Sequence, residues 1–135
     1  MSTRCLIGMQ NEDGSIKFIY CHWDGYPEGV GKTLFNHYLN REKVVELIEL
    51  GNLSSLGEEI GEPHNFNDTS HPNWCHAYRR DRLELDNNVL AKTVRTSYDF
   101  RKKMMDHDAE YLYLFTPEGW KYSSGGEEWW SFRQD

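Results

Sequence analysis

With 135 residues, 38% hydrophobic and 14% aromatic, the chain fits one folded domain and carries more aromatics than a disordered chain would. Its net charge of −7 argues against a general binder of duplex nucleic acid, whose affinity comes largely from lysine and arginine on phosphates. No run approaches the ~20 apolar residues of a membrane-spanning helix, and Met1 to Gly8 has no long apolar stretch of the kind a signal peptide needs.

Cys5, Cys21 and Cys75 are odd in number and lack CxxC spacing, so reduced thiols in a cytoplasm are expected rather than a disulfide framework. The charge is unevenly spread. Residues 79–103 hold eight basic and four acidic side chains, a net +4, which leaves −11 for the rest. A local basic patch on an acidic body suits a small anionic ligand better than a long duplex; ordinary solvated strand and helix faces would give the same composition.

No repeat, linker or low-complexity run divides the chain, so residues 1–135 are expected to form a single domain. Residues 3–9 read as a strand with Cys5, Ile7 and Met9 on one face. Asn11, Glu12, Asp13, Gly14 and Ser15 supply turn chemistry, and residues 16–22 alternate again, with Ile16, Phe18, Tyr20 and His22 on one side. An N-terminal β-hairpin follows.

After a loop bearing glycine and proline, residues 32–39 read as a short helix. Asn40 is placed to cap a second over 41–50, with Val44, Val45, Leu47 and Ile48 as its apolar stripe and Gly51 beyond its end. Residues 61–73 are a polar loop. Strands are expected at 74–83 and 89–95, then a helix over 98–107 capped by Ser97. Residues 111–116 and 120–122 form a second strand pair turned at Pro117-Glu118-Gly119, and Gly125-Gly126 precedes a tail with Trp129, Trp130 and Phe132. The pattern predicts an α+β domain: a mainly antiparallel sheet begun by the hairpin, with about three helices packed on one face.

Residues 25–33, Gly-Tyr-Pro-Glu-Gly-Val-Gly-Lys-Thr, imitate a phosphate-binding P-loop. That motif needs glycine five residues before the glycine preceding lysine. Tyr26 stands there, Pro27 lacks an N–H and Glu28 repels phosphate, so the P-loop is rejected.

His22-Trp23-Asp24-Gly25-Tyr26-Pro27 packs an imidazole, an indole, a carboxylate and a phenol into one loop at a strand end, where functional groups are often mounted. Trp23 and Tyr26 could stack on a base. His22 and Asp24 could bind a polar edge or act as acid and base. The same residues equally fit a structural turn shaped by Gly25 and Pro27. Tyr78, Arg79, Arg80 and Arg82 set guanidiniums beside an aromatic, a pairing suited to phosphate plus base.

His64, His71, Cys75 and His76 match no zinc module, and neither a metal nor a cofactor is expected. Cys21 beside His22, or Cys75 beside His76, is no nucleophile–base pair, because adjacent strand residues point to opposite faces. Tyr98, Phe100, Met104 and Met105 read as helix core. Glu58, Glu59, Glu62, Glu127 and Glu128 read as solvated acid, or as a phosphate-mimicking surface for a host protein.

Thr3 to Gly8, the turn Asn11-Glu12-Asp13-Gly14, and Tyr20 through Gly31, together a TRxLIG…CHWDGYPEGVG pattern, resemble a family of small proteins found largely in phages and prophages. The similarity spans residues 1–60 most clearly and resumes at 111–115. It carries over no catalytic residue. It implies a setting: a phage accessory protein acting in a bacterial cytoplasm, where, by analogy, such proteins often antagonise host defence.

Three functions are carried forward. The leading one is a non-enzymatic counter-defence protein that sequesters a small nucleotide-type signal. It would use His22, Trp23, Asp24 and Tyr26 with Tyr78, Arg79, Arg80 and Arg82. The others are inhibition of a host defence protein through an acidic face, and a small hydrolase or nuclease using His22 and Asp24. No membrane partner is expected, and a homo-oligomer is compatible with the sequence.

Overall fold

The computed structural model describes residues 2–124 and 128–131. Alternating apolar residues and the Asn11–Ser15 turn pair β1 (Cys5–Gln10) with β2 (Ile16–Cys21) as an antiparallel hairpin, Cys5 opposite Cys21 and Gln10 opposite Ile16. Helix α1 (Lys32–His37) and helix α2 (Arg41–Glu49) follow. The Asn40 side chain accepts the Lys43 N–H at 2.9 Å, capping α2. Gly51 closes the helix with φ of +82°, and a Cβ there would run into the Val89 carbonyl.

Strand β3 (Leu53–Ser55) pairs with β2 in parallel, and β4 (His76–Ala77) lies antiparallel to β3. Strand β5 (Lys92–Val94) takes the other end of the β2 edge, antiparallel at Ile16–Phe18. Asn52 bridges the gap: its side chain accepts the Tyr20 N–H at 3.0 Å and donates to the Asn88 carbonyl at 3.0 Å. On the far side of β1 come β6 (Tyr111–Thr116), parallel to it, then β7 (Gly119–Ser123) and β8 (Trp130–Ser131), both antiparallel. The eight-stranded order is β4-β3-β2-β1-β6-β7-β8, with β5 branching from β2. The domain is α+β.

Three expectations change. The segment expected as one strand over 74–83 turns after Ala77 into a four-residue helix, α3 (Tyr78–Asp81). The cause is Asp81, whose buried carboxylate accepts the Ala77 N–H at 2.8 Å and so draws the chain back on itself. The last long helix, α4 (Ser97–Asp106), is capped by Thr96, which accepts the Asp99 N–H at 3.1 Å, not by Ser97. The strand expected over 89–95 narrows to β5, preceded by a single helical turn at Asn87–Val89.

The helices also cover both faces of the sheet rather than one. One cluster packs Leu34, Val44, Leu47 and Ile48 of α1 and α2 on Cys5, Ile7, Ile19 and Tyr113. The other packs Phe100 and Met104 of α4 on Leu6, Ile16, Phe18, Leu112 and Leu114. Odd and even positions of β1 are thus both buried, as strands covered on two faces require. Tyr98 and Met105 are 58% and 87% exposed, so neither is part of the expected helix core. Trp129 stacks on Phe100 at 6.5 Å; Gly125, Gly126 and Phe132 lie outside the described residues. No described helix is long and apolar enough to cross a membrane.

Candidate ligand-binding site

The loop after β2 is built by backbone clamps. His22 and Trp23 extend the pairing with β3, their N–H groups donating to the Leu53 and Ser54 carbonyls at 3.1 and 3.0 Å. Asp24 then takes a left-handed φ of 57°, uncommon for a residue with a side chain, and turns the chain. Gly25 is locked from two sides. Its N–H donates to the Thr3 carbonyl at 2.8 Å, and the buried Tyr113 hydroxyl donates to its carbonyl at 2.7 Å. A Cβ at Gly25 would stand 2.8 Å from the Thr3 oxygen and 2.9 Å from the Cys5 Cβ. Only glycine fits.

Pro27–Gly31 forms a wide helical turn leading into α1. The Gly29 N–H donates to the Tyr26 carbonyl at 3.0 Å and the Val30 N–H to the Asp24 carbonyl at 2.8 Å. Amides that a P-loop would aim at phosphate are therefore used inside the turn. Trp23 and Tyr26 are left 45% and 38% exposed. Beside them a recess of about 100 Å³ is lined by Trp23, Asp24, Val30, Thr33, Ser55 and Leu56. Drug-sized ligands occupy roughly 300 Å³ or more, so this recess takes one group of a ligand and not the whole.

His22 and Asp24 have separate partners. The Tyr26 hydroxyl reaches an Asp24 carboxylate oxygen at 3.4 Å. The His22 Nδ1 lies 2.7 Å from the Tyr20 hydroxyl, and the His22 ring meets the Trp23 ring edge-on at 4.8 Å. Burial pushes the Tyr20 phenol up to about 12, so it stays protonated beside Nδ1. Burial first, and the Arg4 charge second, hold the His22 imidazole below its usual value. Nε2 is the ring nitrogen that Tyr20 leaves free; it carries an N–H in the tautomer whose Nδ1 accepts from the hydroxyl and in the protonated ring.

The basic residues divide. Tyr78 belongs to the loop's surroundings: its N–H donates to the Asn52 carbonyl, and its side chain is hydrogen-bonded to Ser54. Its ring stacks on Phe66 at 5.7 Å, with the Arg82 guanidinium 5.5 Å from the Phe66 ring and 5.8 Å from the Tyr78 ring. Arg82 is largely exposed and pairs with Glu84 at 3.6 Å; Arg79 is exposed.

Arg80, expected to meet phosphate, is built into the interior. It grips both oxygens of Asp81 at 2.9 and 3.0 Å and donates to the Ile60 and Cys75 carbonyls at 2.9 Å each. The sequence shows a guanidinium beside an aromatic in either case; only the tertiary fold brings Asp81 and two carbonyls to Arg80.

His64 of the polar loop is hydrogen-bonded to His76 of β4. His64 Nε2 lies 2.9 Å from His76 Nδ1, and His64 Nδ1 lies 2.7 Å from the Glu62 carbonyl and 3.4 Å from Asp81. His71 stacks flat on Trp74 at 3.7 Å. Cys75 is buried against the Tyr38 hydroxyl at 3.3 Å, and burial raises its thiol pKa. No cluster of three or more metal-ligating side chains occurs among the described residues.

Arg4, Tyr20, Phe66 and His107 are not among the site residues expected from the sequence. A signal for Arg4 was present: with Cys5 opposite Cys21, continuing the hairpin register sets residue 4 against residue 22. No protein-family model, curated protein or solved structure matches the chain.

Proposed function

We propose that this protein binds a small nucleotide-type ligand at the loop from His22 to Pro27 and, in the phage setting its sequence pattern implies, sequesters a nucleotide immune signal in the bacterial cytoplasm. The observation that carries this reading is a rigid loop with half-exposed rings. Gly25 is clamped at both its N–H and its carbonyl, while Trp23 and Tyr26 keep much of their surface open. Aromatic faces held in place before binding lose little entropy when a base stacks on them. Asp24, Thr33 and Ser55 line the adjoining recess and offer polar contacts to a base edge. Binding without catalysis is supported by the separate engagement of His22 with Tyr20 and of Asp24 with Tyr26. In this reading Arg82 and Tyr78 join the ligand surface, and Arg80 serves the fold.

The test pairs calorimetric nucleotide titrations with a defence-suppression assay in bacteria. Stacking of a base on an aromatic contributes about 1–3 kcal/mol, so Trp23→Ala is expected to weaken binding about ten- to a hundredfold and to abolish suppression. Charge reversal of Glu58, Glu59 and Glu62 is expected to leave both intact. Suppression retained by a folded Trp23→Ala variant and lost on charge reversal would replace this reading with a protein-inhibitor one.

A further inference from the structure

We propose that Arg4, His22 and Tyr20 form an anion subsite that takes the phosphate group of a phosphate monoester, beside the ring of Trp23. The proposal deepens the ligand-binding reading and rests on it for the nucleotide part of the ligand.

Register places the groups. Cys5 faces Cys21 and Leu6 faces Tyr20 across the hairpin, and Cys5 and Cys21 point into the core beneath α1 and α2. Side chains alternate along strands, so residues 4, 6, 20 and 22 share the opposite face. Helix α4 covers that face at Leu6, Ile16 and Phe18. Toward Tyr20 and His22 the cover ends in His107, whose ring stacks on Tyr20 at 5.9 Å with an interplanar angle of 28°.

Donors are in excess there. The Nε of Arg4 is buried without a hydrogen-bond partner among the described residues, an arrangement native structures rarely leave unfilled. Its Nη1 holds only a 3.4 Å pair with Asp108, whose side chain is 81% exposed. Such an exposed pair is weak, and an incoming anion displaces it readily. The Tyr20 hydroxyl occupies His22 Nδ1, leaving Nε2 as the second group, on a ring steadied against Trp23; protonation of the ring makes it a donor. The Nη groups of Arg4, on a side chain 36% exposed, and the Nε2 N–H of a protonated His22 together match the oxygens of a tetrahedral anion. The adjacent indole supplies a flat face for whatever the phosphate carries.

The charges around the subsite favour an anion. Arg4, just before β1, faces His22, Lys92 from β5 and Lys103 from α4 act on His107, and Asp106 opposes them. Tyr78 from α3 faces Tyr20, and Asp108 holds the outer end of Arg4. Burial and these cations hold both imidazoles below their ordinary pKa. A dianion beside Arg4 relieves the repulsion on His22 and raises its affinity for a proton.

The experiment follows the His22 ring resonances of the intact protein by NMR across a pH series. Inorganic phosphate, adenosine monophosphate and adenosine are the probes, with chloride at equal ionic strength as reference. Phosphate and the monophosphate are expected to shift His22 saturably and raise its titration midpoint, while adenosine leaves the midpoint in place. Arg4→Gln is expected to weaken the monophosphate by about tenfold or more, the loss of one charge-assisted contact, and to leave the weaker binding of adenosine unchanged. Tyr20→Phe is expected to change the tautomer signature of His22. A His22 resonance indifferent to phosphate and to the monophosphate, while the Trp23 indole N–H resonance still responds to nucleotides, overturns the subsite and spares the ligand-binding reading. A saturable phosphate response with no nucleoside effect at Trp23 supports the subsite and removes the stacking role. Because the wild-type titration decides the matter alone, a misfolded variant does not blunt the test.

Discussion

Truncating Arg80 to alanine separates a ligand-binding guanidinium from a structural one. The side chain is 13% exposed and its partner carboxylate on Asp81 fully buried. Arg80→Ala removes both charge-assisted bonds to Asp81 and the donors to the Ile60 and Cys75 carbonyls. It leaves Asp81 with the backbone N–H groups of Ala77 and His64, at 2.8 and 3.2 Å, and the His64 ring Nδ1 at 3.4 Å. Breaking a buried pair in this way costs about 3–5 kcal/mol, a large part of the roughly 5–15 kcal/mol that holds a domain folded. Urea denaturation followed by tryptophan fluorescence and circular dichroism should show this loss, whereas truncating the exposed Arg79 should change stability by no more than about 0.5 kcal/mol.

The deficit should depend on pH. Burial pushes the Asp81 carboxyl up, but the Arg80 bonds and the Ala77 and His64 N–H groups outweigh burial and hold it below its ordinary 3.8. A depressed folded pKa gives stability that is present above about pH 4 and lost as pH falls through the folded value. In Arg80→Ala the burial effect dominates and the carboxyl pKa rises. The gap between variant and wild type, full at pH 7, should therefore narrow as pH falls through that raised value. A variant within about 0.5 kcal/mol of wild type at pH 7 that nonetheless loses ligand would refute the structural assignment.

Leu47, fully buried in α2, should lose about 2–5 kcal/mol on truncation to alanine, and an unchanged denaturation midpoint would contradict its place in the core. Gly25→Ala should cost about 1–3 kcal/mol through overpacking against Thr3 and Cys5. It should also shift the Trp23 indole N–H resonance, because the clamp and the ring share one loop; a wild-type resonance and stability together would contradict the clamp. The thiols of Cys5, Cys21 and Cys75 are free and buried, and burial raises those of Cys5 and Cys75. An aromatic disulfide reagent should therefore label none of them at pH 8 until the protein is denatured, and a thiol that reacts within seconds in the native state would show that the sheet opens there.

Local chemistry alone was enough for the parts of the molecule that local chemistry builds. The hairpin of β1 and β2 follows from alternation and an Asn-Glu-Asp-Gly turn. Helix α2 follows from its stripe, its Asn40 cap and Gly51, and β6 with β7 from β-favouring runs around a turn at Gly119. The loop from His22 to Pro27 stood out because its rings and charges crowd into six positions at a strand end. Contacts between segments distant in the chain decided the rest. Asp81 bends residues expected to be a strand into α3 by reaching the Ala77 N–H and engaging Arg80 and the His64 N–H. The division of helices between two faces depends on where Phe100 and Met104 dock, and alternation within β1 is blind to it. Arg80 and Arg82 differ by two positions and carry the same charge. One is bound to Asp81 and the carbonyls of Ile60 and Cys75, while the other lies exposed over Phe66 and Tyr78, because a guanidinium's role is set by the acceptors that folding brings within 3 Å of it.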